Sequence, residues 1–187
     1  CRVDIAGKEN IEKMLSLNFK HGKDLVEIRS REQPLRAILV DNKLLRIKEI
    51  NEPTQFPPVG LAYIAAYLES KGVECRILDA NLFKLGHEEM ISKVVEYDPD
   101  IVGMSVNIAF IKEVTRLSKH IKTKLNKIVI LGGPSSLGNL DYLLEHSLAD
   151  CVVRGEGELV FWNVVRNNAK NLEEIKGISY FKDGKVV

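Results

Sequence analysis

The sequence of 187 residues predicts an α/β domain built on an open parallel sheet. From about Leu35 onward, short apolar runs alternate with longer segments in which apolar residues recur at helical spacing. The short runs are continuously apolar, which indicates strands that are buried on both faces. The predicted strands are Leu35–Val40, Val73–Leu78, Ile101–Val106, Lys127–Leu131 and Cys151–Arg154.

A helix-like segment follows each of these strands. The first, GLAYIAAYLESKG, ends at Gly72, a residue typical of helix C-termini. The second, HEEMISKVVEYDPD, carries acidic residues in its first turn and ends before a proline. The others are AFIKEVTRLSKHIKTKLN, NLDYLLEHSLAD and LVFWNVVRNNAKN. Because right-handed crossovers connect parallel strands, we expect a flavodoxin-like (Rossmann-like) three-layer sandwich whose five parallel strands have the order 2-1-3-4-5.

Two further segments flank this alternation. Residues 1–33 are charged and partly helical in pattern, which predicts an N-terminal helical arm. At the other end, GISYFKDGKVV contains two strand-like runs around Asp183-Gly184, a hairpin turn signal. We therefore divide the chain into an arm (1–33), a main domain (34–170) and a C-terminal hairpin (171–187), which we expect to cover a sheet edge or to lead into another domain.

Composition and charge exclude several classes of function. The 27 basic and 26 acidic residues give a formal net charge of +1, so no charge field attracts nucleic acid or an anionic membrane. No apolar run approaches membrane-spanning length, and no signal peptide is visible. Cys1, Cys75 and Cys151 are far apart, so a zinc or iron–sulfur site has no local support. Cys75 and Cys151 are expected to be small buried hydrophobes, and unpaired cysteines favour a reducing, cytoplasmic location.

The predicted carboxyl ends of the strands contain a candidate ligand site. Ligands of open parallel sheets bind beyond these ends. Three of the ends combine glycine or small polar residues with helix N-termini: Ser105 to Asn107, then GGPSS, then RGEGE. Such turns allow a ligand to approach the backbone closely and offer it unpaired N–H groups. Each of them alone is also typical of a tight turn or of a helix cap, and Ser105 or Asn107 could provide such a cap. About twenty residues follow the first strand, a length typical of functional connections.

The usual nucleotide motifs are not found at this edge. The first loop lacks GxGxxG, and the sequence contains no GxxxxGK[ST]. That loop is rich in Leu, Lys and Pro rather than in the Ser, Thr and Gly of a flavin phosphate loop. A phosphoacceptor domain needs an aspartate at the end of the third strand, where this chain has Ser105. The residues alone therefore leave the cofactor open.

The ordered segments PPVGLAYIAAYLESKGVECRILDAN, DPDIVGMSV, VILGGPSS and VVRGEGE resemble a known family. They are similar to the N-terminal cobalamin-binding domain of cobalamin-dependent radical SAM enzymes, which include methyltransferases and the anaerobic magnesium-protoporphyrin monomethyl ester cyclase. The resemblance runs from about Leu35 to the end. It implies that residues 34–170 bind cobalamin and that the hairpin leads to a radical SAM domain absent from this sequence. The iron–sulfur cluster and S-adenosylmethionine belong to that domain, because CxxxCxxC does not occur here.

The resemblance also implies a set of contact residues for the corrinoid. The turn after the third strand would line the nucleotide tail. The GGPSS turn after the fourth strand would lie under the corrin and the tail, and the RGEGE turn after the fifth strand would complete the contacts. Gly132 and Gly133 would then lack side chains because the ligand occupies the space. The implied residues are Pro58, Gly60, Ser105, Asn107, Gly132, Gly133, Pro134, Gly155, Glu156 and Gly157.

The sequence departs from the methionine synthase-like pattern below the cobalt. Those domains carry DxHxxG after strand one, whereas this chain has Asp41-Asn42-Lys43-Leu44-Leu45-Arg46, with Lys43 in place of the histidine that ligates cobalt. A protonated lysine has no lone pair to donate, so we expect cobalamin without a histidine lower ligand. Surface or capping roles are expected for the histidines of this chain, which are His21, His87, His120 and His146.

Three hypotheses follow. The first is a cobalamin-binding module of a radical SAM enzyme that performs methyl transfer or oxidative cyclisation and is inactive as a fragment. In this hypothesis no residue of the module is catalytic or a metal ligand, and Glu156 and Glu158 stabilise the first turn of a helix. The second is a degenerate flavodoxin-like docking or regulatory domain with no cofactor. The third, a nucleotide-binding enzyme, is disfavoured by the missing phosphate motifs.

Overall fold

The computed structural model describes residues 34–41 and 57–187. The predicted arm, residues 1–33, and Lys43 lie outside the described residues. Within the described part of the chain, six strands form the main sheet in the order β2-β1-β3-β4-β5-β6. They are β1 (Arg36–Asp41), β2 (Glu74–Asp79), β3 (Ile101–Ser105), β4 (Ile128–Gly132), β5 (Cys151–Val153) and β6 (Ile178–Ser179).

The predicted parallel order of the first five strands is confirmed, but the predicted strand count is one too low. Strands β1 to β5 are parallel in the order 2-1-3-4-5. The sixth strand, β6, pairs antiparallel with β5, with Val152 opposite Ser179 and Val153 opposite Ile178. Arg154 N donates to Gly177 O at 2.8 Å and extends this pairing. The hairpin segment thus satisfies the backbone of β5, which would otherwise be an edge strand.

The helices lie where the sequence predicts them. They are α1 (Val59–Ser70), α2 (His87–Tyr97), α3 (Ile111–His120), α4 (Leu140–His146) and α5 (Gly157–Arg166). Helix α3 continues into a π-helical turn, Ile121–Leu125, and ends at Asn126 with a φ of 52°. At the start of α2, Gly86 N donates to Glu89 Oε2 at 2.6 Å, and Glu88 and Glu89 lie in the positive first turn.

Successive residues of the strands point to opposite layers, which gives two cores. Ile38 and Val40 of β1 face the layer of α2, α3 and α4, whereas Ala37 and Leu39 face the layer of α1 and α5. The second core also contains Leu61 and Leu68 of α1 together with Phe161, Val164 and Val165 of α5. The three-layer sandwich is therefore confirmed, and α1 and α5 cover the same face of the sheet.

The C-terminal segment forms the predicted hairpin. Strands β7 (Phe181–Lys182) and β8 (Lys185–Val186) pair antiparallel. Asp183 and Gly184 adopt left-handed conformations, with φ of 51° and 77°, as a two-residue hairpin turn requires. Before the hairpin, Ile175, Ile178 and Tyr180 are buried in the core beneath α1 and α5. In the described ranges, no helix combines the length and the apolar character needed to cross a bilayer.

Candidate cofactor-binding site

A cleft of about 320 Å³ lies at the carboxyl ends of β1, β3, β4 and β5, between the first turns of α1 and α5. The structure brings all ten residues of the sequence-based site prediction to this one cleft. They are Pro58, Gly60, Ser105, Asn107, Gly132, Gly133, Pro134, Gly155, Glu156 and Gly157. The cleft is where an open parallel sheet places its ligands, because neighbouring connections diverge to opposite faces at this edge.

The turn after β3 is built around an asparagine cap. The Oδ1 atom of Asn107 accepts a hydrogen bond from Ala109 N at 3.0 Å, at the start of a short 3-10 helix, Ile108–Phe110. Of the two candidate caps, Asn107 therefore performs this role. Its amide oxygen is engaged by the backbone, which leaves the amide nitrogen as the donor it presents to a ligand. Ser105, the last residue of β3, contributes a hydroxyl to the same wall.

Hydrogen bonds and packing within the protein fix the conformation of the glycine turn after β4. Val106 N donates to Gly132 O at 2.6 Å, and Ser136 Oγ donates to Gly133 O at 2.8 Å. Gly133 has a φ of +107°, and a Cβ there would lie 3.0 Å from Val106 N and 3.1 Å from Ser105 Oγ. The end of β3 therefore explains the missing side chain at Gly133. At Gly132 a Cβ would make only an ordinary contact of 3.6 Å with Val153.

The turn after β5 brings two helices together. Glu156 is the N-cap residue of α5, and Gly157 begins the helix. A Cβ at Gly157 would lie 2.6 Å from Cδ1 of Ile64, so the absent side chain lets α5 approach α1 closely. Gly155 differs, because its φ of +77° favours glycine while a Cβ there would meet no atom within 4 Å. Glu158 lies in the first turn of α5, where a carboxylate stabilises the helix dipole.

The floor of the cleft consists of residues that the sequence prediction missed. They are apolar or lack a side chain, and they come from the second core: Leu39, Gly103, Ile130, Val153 and Phe161. A Cβ at Gly103 would lie 2.6 Å from Leu39 Cδ2 and 2.8 Å from two ring atoms of Phe161. A glycine inside the buried run IVGMS was the available signal, since a strand glycine often marks a close approach.

The histidines of the described residues lie away from the cleft. His87 begins α2, His120 ends α3 and His146 ends α4, all in the layer on the opposite face of the sheet. Desolvation, followed by the nearby charge of Arg116, lowers the pKa of His87. Within residues 34–41 and 57–187, no three His, Cys, Asp or Glu side chains are grouped so as to hold a metal ion.

The two cysteines of the described residues are unreactive in character. Cys151 is buried in β5 and Cys75 is half-buried in β2. Burial is the main cause that raises the pKa of each thiol from 9.0 to about 12. Both side chains therefore remain protonated near neutral pH and pack as small apolar groups, as the sequence predicts.

With this geometry established, comparison with known proteins identifies the family. Residues 50–165 match the sequence model of the B12 binding domain. The chain belongs to the B12-binding domain family. The predicted resemblance to cobalamin-binding domains is thereby confirmed, and cobalamin is the cofactor of this domain type. The alternative of a docking domain without a cofactor gains no support.

The relatives of this B12-binding domain are longer proteins. An uncharacterized methyltransferase of Pyrococcus horikoshii is 32% identical over 139 residues, which are 71% of this chain and 30% of that protein. The anaerobic magnesium-protoporphyrin IX monomethyl ester cyclase of Cereibacter sphaeroides is 28% identical over 142 residues, which are 71% of this chain and 23% of that enzyme. The chain therefore spans about a third or less of either protein's length.

Solved structures share the fold. The radical S-adenosylmethionine methyltransferase TsrM from Kitasatospora setae, solved with cobalamin and a [4Fe-4S] cluster bound, aligns with a TM-score of 0.70 at 18% identity. The alignment covers 83% of this chain and 28% of TsrM. At this identity the likeness shows a common fold, in agreement with the flavodoxin-like sandwich described above.

Proposed function

We propose that the cleft between α1 and α5 holds cobalamin and that this domain is the cobalamin module of a radical SAM enzyme. The observation that carries the proposal is the convergence of four sequence-distant turns on one cleft at the carboxyl edge of the sheet. The parent enzyme would transfer a methyl group or catalyse an oxidative cyclisation, and its radical SAM domain would be the partner of this module. The two free cysteines of the described residues support the predicted cytoplasmic location.

The residues of the cleft fit the cofactor. A Cβ added at Gly60 or Gly155 would meet no protein atom within 4 Å, so both backbones border open space in which a flat macrocycle can approach. The apolar floor suits the hydrophobic part of a ligand, and polar groups stand at the rim. We assign hydrogen-bonding roles toward the nucleotide tail to Ser105 and Asn107.

The work of these residues is binding and orientation. The backbones of Gly132 and Gly155 would support the ligand, and Asn107 would orient it through its amide nitrogen. When bound, cobalamin supplies the methyl-transfer or electron-transfer chemistry, so the module itself needs no acid, base or nucleophile. Glu156 occupies the N-cap position of α5, where its side chain makes no cap hydrogen bond, and Glu158 lies in the first turn of the helix, where a carboxylate is stabilising.

We further propose that cobalt has no histidine lower ligand in this protein. Lys43 stands where methionine synthase-like domains carry the histidine of DxHxxG. In support, the histidines of residues 57–187 lie on α2, α3 and α4 rather than around the cleft.

The test is an anaerobic titration of the 187-residue chain with hydroxocobalamin and methylcobalamin, followed by absorbance and gel filtration. We expect co-elution and a base-off spectrum without histidine ligation. If the chain binds nothing but a longer protein extending past Val187 binds, the cleft is completed by that extension. Failure of both proteins to bind would refute the proposal.

A matched pair of variants locates the binding site. Gly60→Leu places a side chain in the cleft, whereas Gly138→Leu adds the same side chain to an exposed turn, and neither position has a neighbour within 4 Å of its Cβ. We expect Gly60→Leu to weaken corrinoid binding by about tenfold or more while Gly138→Leu binds normally. Equal affinity of the two variants would place the corrinoid elsewhere.

A further inference from the structure

The cleft is lined by acidic side chains and, among the described residues, by no lysine, arginine or histidine. Its carboxylates belong to Asp41, Glu156 and Glu158. The other polar side chains in the lining, those of Ser105 and Asn107, are neutral. A ligand in the cleft therefore meets negative charge that no basic side chain of these residues offsets.

The carboxylates flank the cleft on two sides. Asp41 is the last residue of β1, whereas Glu156 and Glu158 lie at the start of α5, which follows β5. Strands β3 and β4 separate β1 from β5, so the two sides are about 14 Å apart at an interstrand spacing of about 4.8 Å. The turns after β3 and β4 contribute only uncharged residues to the lining. The charge thus lies at the two ends of the cleft, and its centre is neutral.

The two glutamates at the start of α5 make no ion pair within residues 57–187. Glu156 is exposed, and its side chain forms no cap hydrogen bond with the helix that it precedes. Arg154, the basic residue nearest to Glu156 in sequence, is exposed and does not line the cleft. The charge of both glutamates is therefore available to attract or repel a ligand.

Asp41 differs from the glutamates because it is 4% exposed and interacts with other parts of the protein. A buried charge is screened less by salt than an exposed one, so Asp41 also contributes to the potential in the cleft. Residues 42–56 lie outside the described residues. In sequence they carry three basic and two acidic side chains, and this net charge of +1 is smaller than the charge of the three carboxylates.

This charge distribution suits one class of corrinoid. The corrin ring carries carboxamide groups around its edge, and their N–H groups donate hydrogen bonds that carboxylates accept. A carboxylate in place of a carboxamide would bring like charges together, which is strongly unfavourable. We propose that Glu156 and Glu158, assisted by Asp41, select corrinoids with a fully amidated ring edge and reject those with a free carboxylate. This inference rests on the proposed function, because it assigns a ligand specificity to the same cleft.

The nucleotide tail of cobalamin contains an anionic phosphate, which the same distribution accommodates. The neutral centre of the cleft, near Ser105 and Asn107, keeps the phosphate away from both acidic ends. The amide nitrogen of Asn107 is a hydrogen-bond donor there. The amidated ring edge is then left to face the glutamates of α5.

Anaerobic absorbance titrations test this selectivity with hydroxocobalamin and its separated monocarboxylic acids, in which one carboxamide is hydrolysed to a carboxylate. They use the form of the protein that binds hydroxocobalamin in the titration proposed above. We expect at least one isomer to bind about tenfold or more weakly than hydroxocobalamin. Glu156→Gln or Glu158→Gln should reduce this ratio several-fold. Glu113→Gln removes the same charge from the first turn of α3, outside the cleft, and should leave the ratio unchanged.

Ionic strength gives a second measurement, because salt screens exposed charges and should reduce the ratio in the parent protein. Equal affinity for hydroxocobalamin and all of its monocarboxylic acids would overturn the inference. So would a ratio that neither Glu156→Gln nor Glu158→Gln changes, since lost amide hydrogen bonds would then explain it. Failure of hydroxocobalamin itself to bind is a different result, which would refute the proposed function and this inference with it.

Discussion

Replacing Gly103 with alanine should destabilise the fold through the floor of the cleft. The added Cβ would lie 2.6 Å from Leu39 Cδ2 and 2.8 Å from the Phe161 ring, where carbon atoms prefer about 3.5 Å or more. The ring must therefore move by about 0.7 Å. Leu39 is fully buried and Phe161 is 4% exposed, so a shift of either side chain disturbs its packing in the core. Overpacking of this kind costs about 1–3 kcal/mol.

Urea unfolding followed by circular dichroism measures this cost. Gly60→Ala is the matched control, because its Cβ meets no atom within 4 Å and alanine favours a helix. We expect Gly60→Ala to be as stable as the parent chain or slightly more stable. Phe161→Leu removes the ring edge, so the double variant with Gly103→Ala should be less destabilised than the sum of the single changes. A Gly103→Ala chain of unchanged stability would refute the packing argument.

Three further predictions follow from buried polar and ionisable groups. Ser147→Ala should lower the free energy of unfolding in urea by about 1–3 kcal/mol, because buried Ala149 N loses its hydrogen-bond acceptor at 3.1 Å. Ser136→Ala should lower it by less, since Gly133 O keeps the hydrogen bond from Ser136 N. Equal losses in the two variants would contradict this ranking. In a Cys1→Ser chain at pH 8, Cys75 and Cys151 should react with a thiol reagent far more slowly in the folded state than in the unfolded state. The reason is that burial raises the pKa of both thiols to about 12. Similar rates in the two states would show that the folded thiols are accessible. Burial, followed by the charge of Glu74, raises the pKa of Tyr97 from 10.0 to about 12, so its contribution to stability is intact below pH 10 and is lost as the pH rises toward 12. The urea midpoint should accordingly fall more steeply above pH 10 in the parent chain than in Tyr97→Phe, and parallel curves would exclude Tyr97 as the cause.

Four of the five parallel strands are predictable because each is a run of apolar residues that is followed by a helical pattern. The expectation that all five are buried on both faces is wrong for β2, an edge strand in which Glu74 and Arg76 are exposed. For the C-terminal segment the sequence left open whether it covers a sheet edge or leads into another domain, because Ile178–Ser179 is too short to show a periodicity and its pairing depends on the free edge of β5. The division of the chain at residue 170 stays a prediction, although Ile175 and Ile178 share a core with α1 and α5.

The rim of the cleft is predictable from the sequence and the floor is not. Glycines and small polar residues stand out at strand ends, and the resemblance to cobalamin-binding domains orders them. In the sequence, nothing distinguishes Leu39, Ile130 and Phe161 from other core residues. They form the floor of the cleft only because α5 approaches α1. In that approach Gly157 lies against Ile64, a contact between residues 93 positions apart that no local pattern reveals.

Five of the six glycines that line the cleft fall into two physical classes, and Gly132, where a Cβ would make an ordinary contact, belongs to neither. Gly103, Gly133 and Gly157 lack side chains because other parts of the protein occupy the space, at 2.6 to 3.1 Å from where a Cβ would lie. Gly60 and Gly155 border open space instead. The first class fixes the shape of the cleft before any ligand arrives, which lowers the ordering cost of binding. Substitutions in the first class should therefore lower stability and binding together, whereas filling the space beside Gly60 should lower binding alone.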